Sequence, residues 1–343
     1  MSKKSFRQAI NEALRQEMER DPTVILMGED ISGGTGAPGE QDAWGGPMGV
    51  TKGLFTQFGE SRVLDTHLAE ISFIGAAAGA ATTGLRPVAE LMFNDFLGTC
   101  LDQVMNQAAK FRYMFGGKAQ TPLVIRTMYG AGVRAAAQHS QSLYSMVTHI
   151  PGLKVVVPSN PYEAKGLLIQ SIRDNDPVIF FEHKVLYDME GEVPDEPYAI
   201  PFGQANVTRE GDDVTIVAIG RMVNFANAAA DALKRQGISC TVVDPRTTSP
   251  LDVETLIETV EETGRLVVVD EANPRCSMAT DIISTVASRA FDALKTAPLA
   301  VTAPHTPVPF SPALEDLFIP SQMKIEEAVR AVMARESNRA AAE

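Results

Sequence analysis

Cysteine is scarce in this sequence: Cys100, Cys240 and Cys276 are the only 3 among 343 residues, and none stands in a CxxC spacing. A disulfide framework and a zinc site are therefore unsupported, and a reducing compartment fits. Positive charge is also in short supply, with Lys and Arg totalling 30 against 43 Asp and Glu, a net charge of −13. No basic stripe exists to neutralise phosphates, which excludes a nucleic-acid role. An acidic surface instead permits a partner with a basic docking face. Long apolar runs are missing as well. The longest small-apolar stretch, Ile71–Ala81, is too short to span a bilayer and contains Ser and Gly. The opening MSKKSFRQAINEALRQEM carries Lys3 and Lys4 but no apolar core of a secretory signal. A cytoplasmic protein with no membrane partner is expected. There is no GxSxG elbow for a serine hydrolase and no repeat of solenoid period.

What is present is a globular composition, 45% hydrophobic and 21% charged, in a chain long enough for two α/β domains. The stretch Arg62–Phe96 organises the first. It predicts a strand over Arg62–Asp65, a helix over about Ile71–Thr83 stopped by Gly84, and a strand over Pro87–Met92. Gly75 and Gly79, four apart beside Ala76 and Ala80, give that helix one small face open to close backbone approach. Glu70 lies at its first turn, where the helix dipole favours a carboxylate. Alone it is an ordinary helix-start acid. With Leu68, Ala69, Ile71, Phe73 and Ile74 around it, it becomes a candidate sheltered acid/base group.

Elsewhere Ser5 is positioned to cap a helix running to about Arg20, followed by a strand over Val24–Met27. The loop Gly33–Gly49 carries Trp44, the sole tryptophan, and a GxGxxG match at Gly34–Gly39 that is a decoy. Pro38, Gly45, Gly46 and Pro47 forbid the helix a dinucleotide site requires. Phe96–Phe115 reads as one long amphipathic helix ended by Gly116-Gly117. Strands at Leu123–Arg126, Lys154–Val157 and Val178–Phe181, with a helix over Pro161–Arg173, complete a doubly wound parallel sheet. His139 sits in the polar patch QHSQS, where a structural histidine and a functional one are both admissible. SIRDND at Ser171–Asp176 reads as a solvated turn or an oxygen-rich cation site. Residues 186–204 lack periodicity and read as a linker between domains at residues 1–185 and 205–343. The second domain alternates strands at Val214–Ile219, Cys240–Val243, Leu266–Val269 and Leu299–Val301 with helices at Asn224–Gln236, Asp252–Thr263 and Met278–Leu294, closed by a helix near Gln322–Ala334.

In order along the chain, MGED (27–30), GVTKGL (49–54), DTHLAE (65–70), GLRPVAE (84–90), QHSQS (138–142), HIPGLKVVVPS (149–159), AKGLL (164–168), RDNDPVIFFEHK (173–184) and TPVPFSPALE (306–315) resemble one family. It is the β subunits of thiamine-diphosphate-dependent dehydrogenase components of 2-oxo-acid dehydrogenase-type complexes. The resemblance covers essentially the whole chain and implies a transketolase-type pyrimidine-binding domain followed by a transketolase C-terminal α/β domain. Within the family QDAWGGPMGVTKGL, FRYMFGGKAQTPLVIRTMYGAG and DEANPRCSMATDI are most similar to acetoin dehydrogenases. Pyruvate-type relatives usually carry His where this chain has Asp270.

The resemblance implies roles. Glu70 matches the glutamate that hydrogen-bonds the cofactor's aminopyrimidine, Phe96 the aromatic stacked on it, and His139 the active-site histidine. Leu123, Ser171, Asp174 and Asp176 match a structural potassium site. The diphosphate of such cofactors is held through a divalent metal by GDG and a following Asn, and this chain has only Gly28-Glu-Asp30 and Gly211-Asp-Asp213. The expectation is an α2β2 heterotetramer in which an α subunit brings Mg2+ and completes the site. The reaction implied is cleavage of acetoin to acetaldehyde with transfer of the hydroxyethyl unit, as acetyl, to a lipoyl group of a dihydrolipoyl acetyltransferase. The same machinery acting on pyruvate or a branched-chain 2-oxo acid stays open, because Arg134 could receive a substrate carboxylate. So does a non-catalytic docking subunit.

Overall fold

Ser5 starts the first helix as its residue type predicts. Its Oγ accepts the Gln8 N–H at 3.2 Å while Gln8 Oε1 accepts the Ser5 N–H at 2.8 Å, a reciprocal capping box. The computed structural model describes residues 1–32 and 45–340, with side chains to residue 334. The GxGxxG decoy and Trp44 lie outside the described residues.

The elements up to residue 193 are β1 (Ser2–Ser5), α1 (Phe6–Arg20), β2 (Val24–Gly28), α2 (Leu54–Phe58), β3 (Val63–Asp65), α3 (Glu70–Thr82), β4 (Arg86–Phe93), α4 (Leu97–Asp102), α5 (Phe111–Met114), β5 (Val124–Tyr129), α6 (Tyr144–Thr148), β6 (Lys154–Val156), α7 (Pro161–Arg173), β7 (Val178–His183) and β8 (Glu190–Val193). The chain divides into two units, Met1–Tyr129 with Met146–Phe202, and Gly130–Ser145 with Gly203–Glu343. The His139 segment thus groups with the second unit, whereas the sequence reading set it in a domain of residues 1–185.

In the first unit the strands run parallel in the order β6-β7-β5-β4-β2-β3. Strands covered on both faces must be apolar throughout. Val24-Ile-Leu26 and Val178–Phe181 obey this, and α1 and α7 close one face with Phe6, Ile10, Leu14, Leu168 and Ile172. Glu90, Arg126 and Glu182 break the pattern inside β4, β5 and β7, yet all three are buried.

Two expectations fail. The stretch 186–204 is not irregular throughout: β8 pairs antiparallel with β1, Ser2 opposite Val193 and Ser5 opposite Glu190. A buried Val193 and a Lys3–Glu190 ion pair at 2.5 Å hold a short, polar strand that has almost no sequence signal. Nor is Phe96–Phe115 one helix. A 3₁₀ turn over Asn94–Phe96 leads into α4, Gln103–Ala108 winds as a π-helix, and α5 follows. The wide turn donates Ala109 N–H to Val104 O at 3.1 Å. It is packed against α3, where a Cβ on Gly75 would meet Gln103 Oε1 at 3.0 Å.

The second unit contains β9 (Asn206–Arg209), β10 (Val214–Ala218), α8 (Met222–Lys234), β11 (Cys240–Asp244), β12 (Thr247–Ser249), α9 (Val253–Thr263), β13 (Leu266–Asp270), α10 (Met278–Arg289), β14 (Leu299–Thr302), α11 (Pro312–Phe318) and α12 (Gln322–Ala340). Its five-stranded sheet has the order β14-β13-β10-β11-β9, parallel except for β9 at the edge. Asp252 and Ser277 cap α9 and α10, and Gly264 at φ +74° ends α9 in the left-handed conformation that favours glycine. Cys100 and Cys240 are buried free thiols and Cys276 is an exposed one. No helix among the described residues is long and apolar enough to cross a membrane.

Candidate functional site

The first unit concentrates acids where β2 and β4 end and α3 begins. Ala69, at the N-cap of α3, offers no side-chain cap, so Glu70 enters a first turn whose N–H groups have no side-chain acceptor at that position. Glu70 is half-buried, and among the described residues its Oε2 accepts one long bond, 3.3 Å, from Thr99 Oγ1. Of the residues expected to shelter it, Phe73 and Ile74 are buried in the core. Leu68 is 84% exposed and Ile71 50% exposed. Within the described residues the apolar surround of Glu70 is thus left uncovered on one side. Gly79 and Ala76 on the same helix are exposed too, so among the described residues the small face is packed against at Gly75 and open at Gly79 and Ala76.

Phe96 is half-buried at the end of the 3₁₀ turn, edge-on to Phe93 with centroids 5.7 Å apart. The Lys184 ammonium lies 5.4 Å from the Phe93 ring centre.

Glu29 directly follows β2. It is buried, and among the described residues neither carboxyl oxygen has a hydrogen-bond partner. Burial first, then the charges of Glu70 and Asp30, push its pKa up from 4.5 to about 7. An unfolded chain releases this proton near 4.5 and the folded one near 7, so between those values the folded form holds more protons. Stability from this group is full below 4.5 and is lost as pH rises through 7. Glu29→Gln is expected to flatten the dependence of the urea midpoint on pH across that window. An unchanged slope would show that another group titrates there.

Deeper in the sheet, Arg126 donates to both oxygens of Glu182 at 2.7 and 2.8 Å and to Glu90 Oε2 at 2.7 Å, while Tyr187 Oη donates to Glu182 at 2.6 Å. Burial raises the Glu90 pKa against the opposing pull of Arg126, and the two carboxylates hold the guanidinium firmly protonated. Glu90 also reaches the loop before α2: a Cβ on Gly46, at φ +78°, would stand 2.8 Å from Glu90 Oε1. Glu29, Glu90 and Glu182 were not singled out by the sequence reading. A charge within a continuous apolar strand, as in LVIRTMY and VIFFEH, was the available signal.

His139 lies half-buried in the second unit, in a loop closed by Gly130 N–H donating to Gln141 O at 3.1 Å. Arg134, weighed as a carboxylate receptor, is ion-paired to Glu315 and, at 2.8 Å, to Asp316. Both acids raise its pKa.

Leu123 lies just before β5, and Ser171, Asp174 and Asp176 lie at and just past the end of α7, where both carboxylates are paired to protein cations. Lys154 Nζ lies 2.6 and 2.7 Å from the Asp174 carboxylate, Arg112 pairs with Asp176, and Ser171 Oγ donates to Leu167 O at 2.7 Å. Leu123 O accepts the Val178 N–H at 2.9 Å. Protein cations thus meet both carboxylates. Among the described residues no group of three or more His, Cys, Asp or Glu could hold a metal ion.

The two parallel α/β units correspond to known domains: residues 2–189 match the transketolase pyrimidine-binding domain and residues 203–325 the transketolase C-terminal domain. The same fold occurs in a solved split-gene transketolase described as an inactive β4 tetramer, with TM-score 0.76, 22% identity, and 96% and 98% of the two chains covered. Among curated proteins, the chain is 64% identical to the acetoin:2,6-dichlorophenolindophenol oxidoreductase subunit beta of Cupriavidus necator, covering 96% of this chain and 98% of that one. It is 59% identical to the Bacillus subtilis subunit of that name, over 94% of each. Identity to the pyruvate dehydrogenase E1 component subunit beta of Bacillus subtilis is 43%, over 97% and 99%. The chain belongs to this family of dehydrogenase β subunits.

Proposed function

We propose that this chain is the β subunit of a thiamine-diphosphate-dependent acetoin dehydrogenase, working with an α subunit in an α2β2 assembly in the cytoplasm. The observation that carries the reading is Glu70 at an open helix start, half-exposed and flanked by uncovered Leu68 and Ile71. That is one wall of a site which a second chain would complete. The residues fit the aminopyrimidine half of the cofactor: a carboxyl acceptor at Glu70, an aromatic face at Phe96, and the buried carboxyl of Glu29, unpartnered among the described residues and coupled to Glu70. The diphosphate half and its Mg2+ are assigned to the α subunit.

When bound, the cofactor would supply a thiazolium carbon acidic enough to lose its proton and, once deprotonated, to add to a carbonyl. Glu70 holds or releases a proton at the pyrimidine ring nitrogen opposite the amine. Phe96 orients the ring. Burial and the charge of Glu70 raise the Glu29 pKa to about 7, so below that pH Glu29 stays neutral beside Glu70. His139 is assigned to the substrate and the incoming lipoyl group. The net reaction releases acetaldehyde and leaves an acetyl group on a lipoyl of a dihydrolipoyl acetyltransferase, whose disulfide takes the two electrons. Potassium is left out of this reading, since Lys154 and Arg112 already neutralise Asp174 and Asp176.

Two features favour a neutral substrate. The relatives of highest identity given above carry acetoin in their names. The charge of Arg134 is already balanced by Glu315 and Asp316, so it is a poor receptor for a 2-oxo acid carboxylate. The test is reduction of 2,6-dichlorophenolindophenol by the chain assembled with its α subunit, thiamine diphosphate and Mg2+, with acetoin or pyruvate as substrate. Strong preference for acetoin is expected. A preference for pyruvate would overturn the substrate while leaving family and cofactor intact.

A further inference from the structure

Arg134 and Ala136 each have φ +60°, a left-handed conformation that neither residue type prefers. The loop between Gly130 and Gln141 must therefore be held by something other than its own propensity. Two buried carboxylates do so. Glu315, fully buried in the first turn of α11, accepts the Gly132 N–H on Oε1 at 2.8 Å and the Arg134 N–H on Oε2 at 3.2 Å, besides pairing with the Arg134 guanidinium. Glu271, buried just after β13, accepts the Ala131 N–H at 2.6 Å. Backbone amides bonded to ionised carboxylates are among the stronger protein hydrogen bonds. Beyond the loop, Tyr144 donates its hydroxyl to the buried Asp270.

We infer that Glu315 and Glu271 are positioning residues for the established family chemistry: they fix the loop that carries His139 and thereby set where the imidazole stands. This rests on the placement of His139 in the substrate region proposed above. Neither carboxylate need touch substrate. Glu315 uses both oxygens on donors, so in Glu315→Gln the new NH2 faces either the Gly132 N–H or Arg134, whichever way the amide turns. Arg134 keeps Asp316 at 2.8 Å, so no cation is stranded.

The experiment uses the chain assembled with its α subunit and thiamine diphosphate, with Glu315→Gln, Glu271→Gln, His139→Ala and the Glu315→Gln/His139→Ala pair. The expected result for Glu315→Gln is a fall in kcat of about ten- to a hundredfold, as for a slightly misplaced group, with little change in KM for acetoin. Amide exchange in peptides spanning 130–141 should rise, and the double variant should be no slower than His139→Ala alone. Glu271→Gln should shift both readouts the same way by less, and it serves if Glu315→Gln fails to fold. Unchanged exchange and kcat in these variants, with His139→Ala inactive, would overturn the inference. Losses that add fully in the double variant would do the same. A harmless His139→Ala would instead overturn the reading beneath it, and is distinguishable because exchange still rises in Glu315→Gln.

Discussion

Glu70→Gln, in the chain assembled with its α subunit, is expected to lower acetoin-dependent turnover by about 10²–10⁴-fold, the range typical for losing a positioned acid/base group. Size-exclusion elution of the assembly should not move. Among the described residues the side chain accepts one long bond, from Thr99, and it is only half-buried, so its replacement by an amide costs the fold little. The amide keeps shape and hydrogen-bonding reach but cannot hold or release a proton at the ring nitrogen. Turnover within a few-fold of the unaltered complex would remove Glu70 from the chemistry and revive the reading of a docking subunit. Loss of activity together with loss of assembly would point to a role in the subunit contact instead.

The second large effect belongs to stability. Arg126→Met strips the guanidinium that bridges Glu90 and Glu182, leaving two buried carboxyls to face each other. Breaking such a cluster on one side costs about 3–5 kcal/mol, because the desolvation already incurred is no longer offset. Urea unfolding of the purified chain reads this directly. Replacing all three residues by apolar ones of similar volume should recover most of the loss, since a buried ion cluster is often no more stabilising than well-packed hydrocarbon. If Arg126→Met alone unfolds at the same urea concentration as the parent, the carboxylates must both accept protons cheaply and the cluster is not a structural linchpin. The outcome also bears on the site, because Glu90 underlies the Gly46 loop.

How far the sequence could be read followed from how local each signal is. Parallel strands such as Val178–His183 declare themselves because burial on both faces demands an unbroken apolar run, and α7 declares itself through Asn160, Pro161 and the side-chain cap on Glu163 N–H. β8 did not, because Glu-Gly-Glu-Val is a strand only by virtue of its partner Ser2–Ser5. Residue type was enough to name Glu70, Phe96 and His139 as candidates, but not to give their environments. The exposure of Leu68 and Ile71, the engagement of Asp174 by Lys154 and the pairing of Arg134 with two acids all depend on long-range placement. Glu315 illustrates the limit best. It stands 181 positions from Arg134 and no local pattern joins them.

The wide turn at Gln103–Ala108 has its own consequence. Each residue of an α-helix advances the azimuth by about 100°, so one residue more or less inside a turn rotates everything downstream by that angle. Here the turn sets the phase of α5, whose neighbourhood presents Tyr113 at 88%, Met114 at 64% and Phe115 at 54% exposure. Deleting one residue from the wide turn would let the segment wind as a regular helix with α5 near its present bearing, whereas a deletion in the regular turns of α4 would swing this aromatic and thioether surface by about 100°. The wide turn therefore takes up one residue of chain length between the acid-bearing helix α3 and the outward-facing apolar patch.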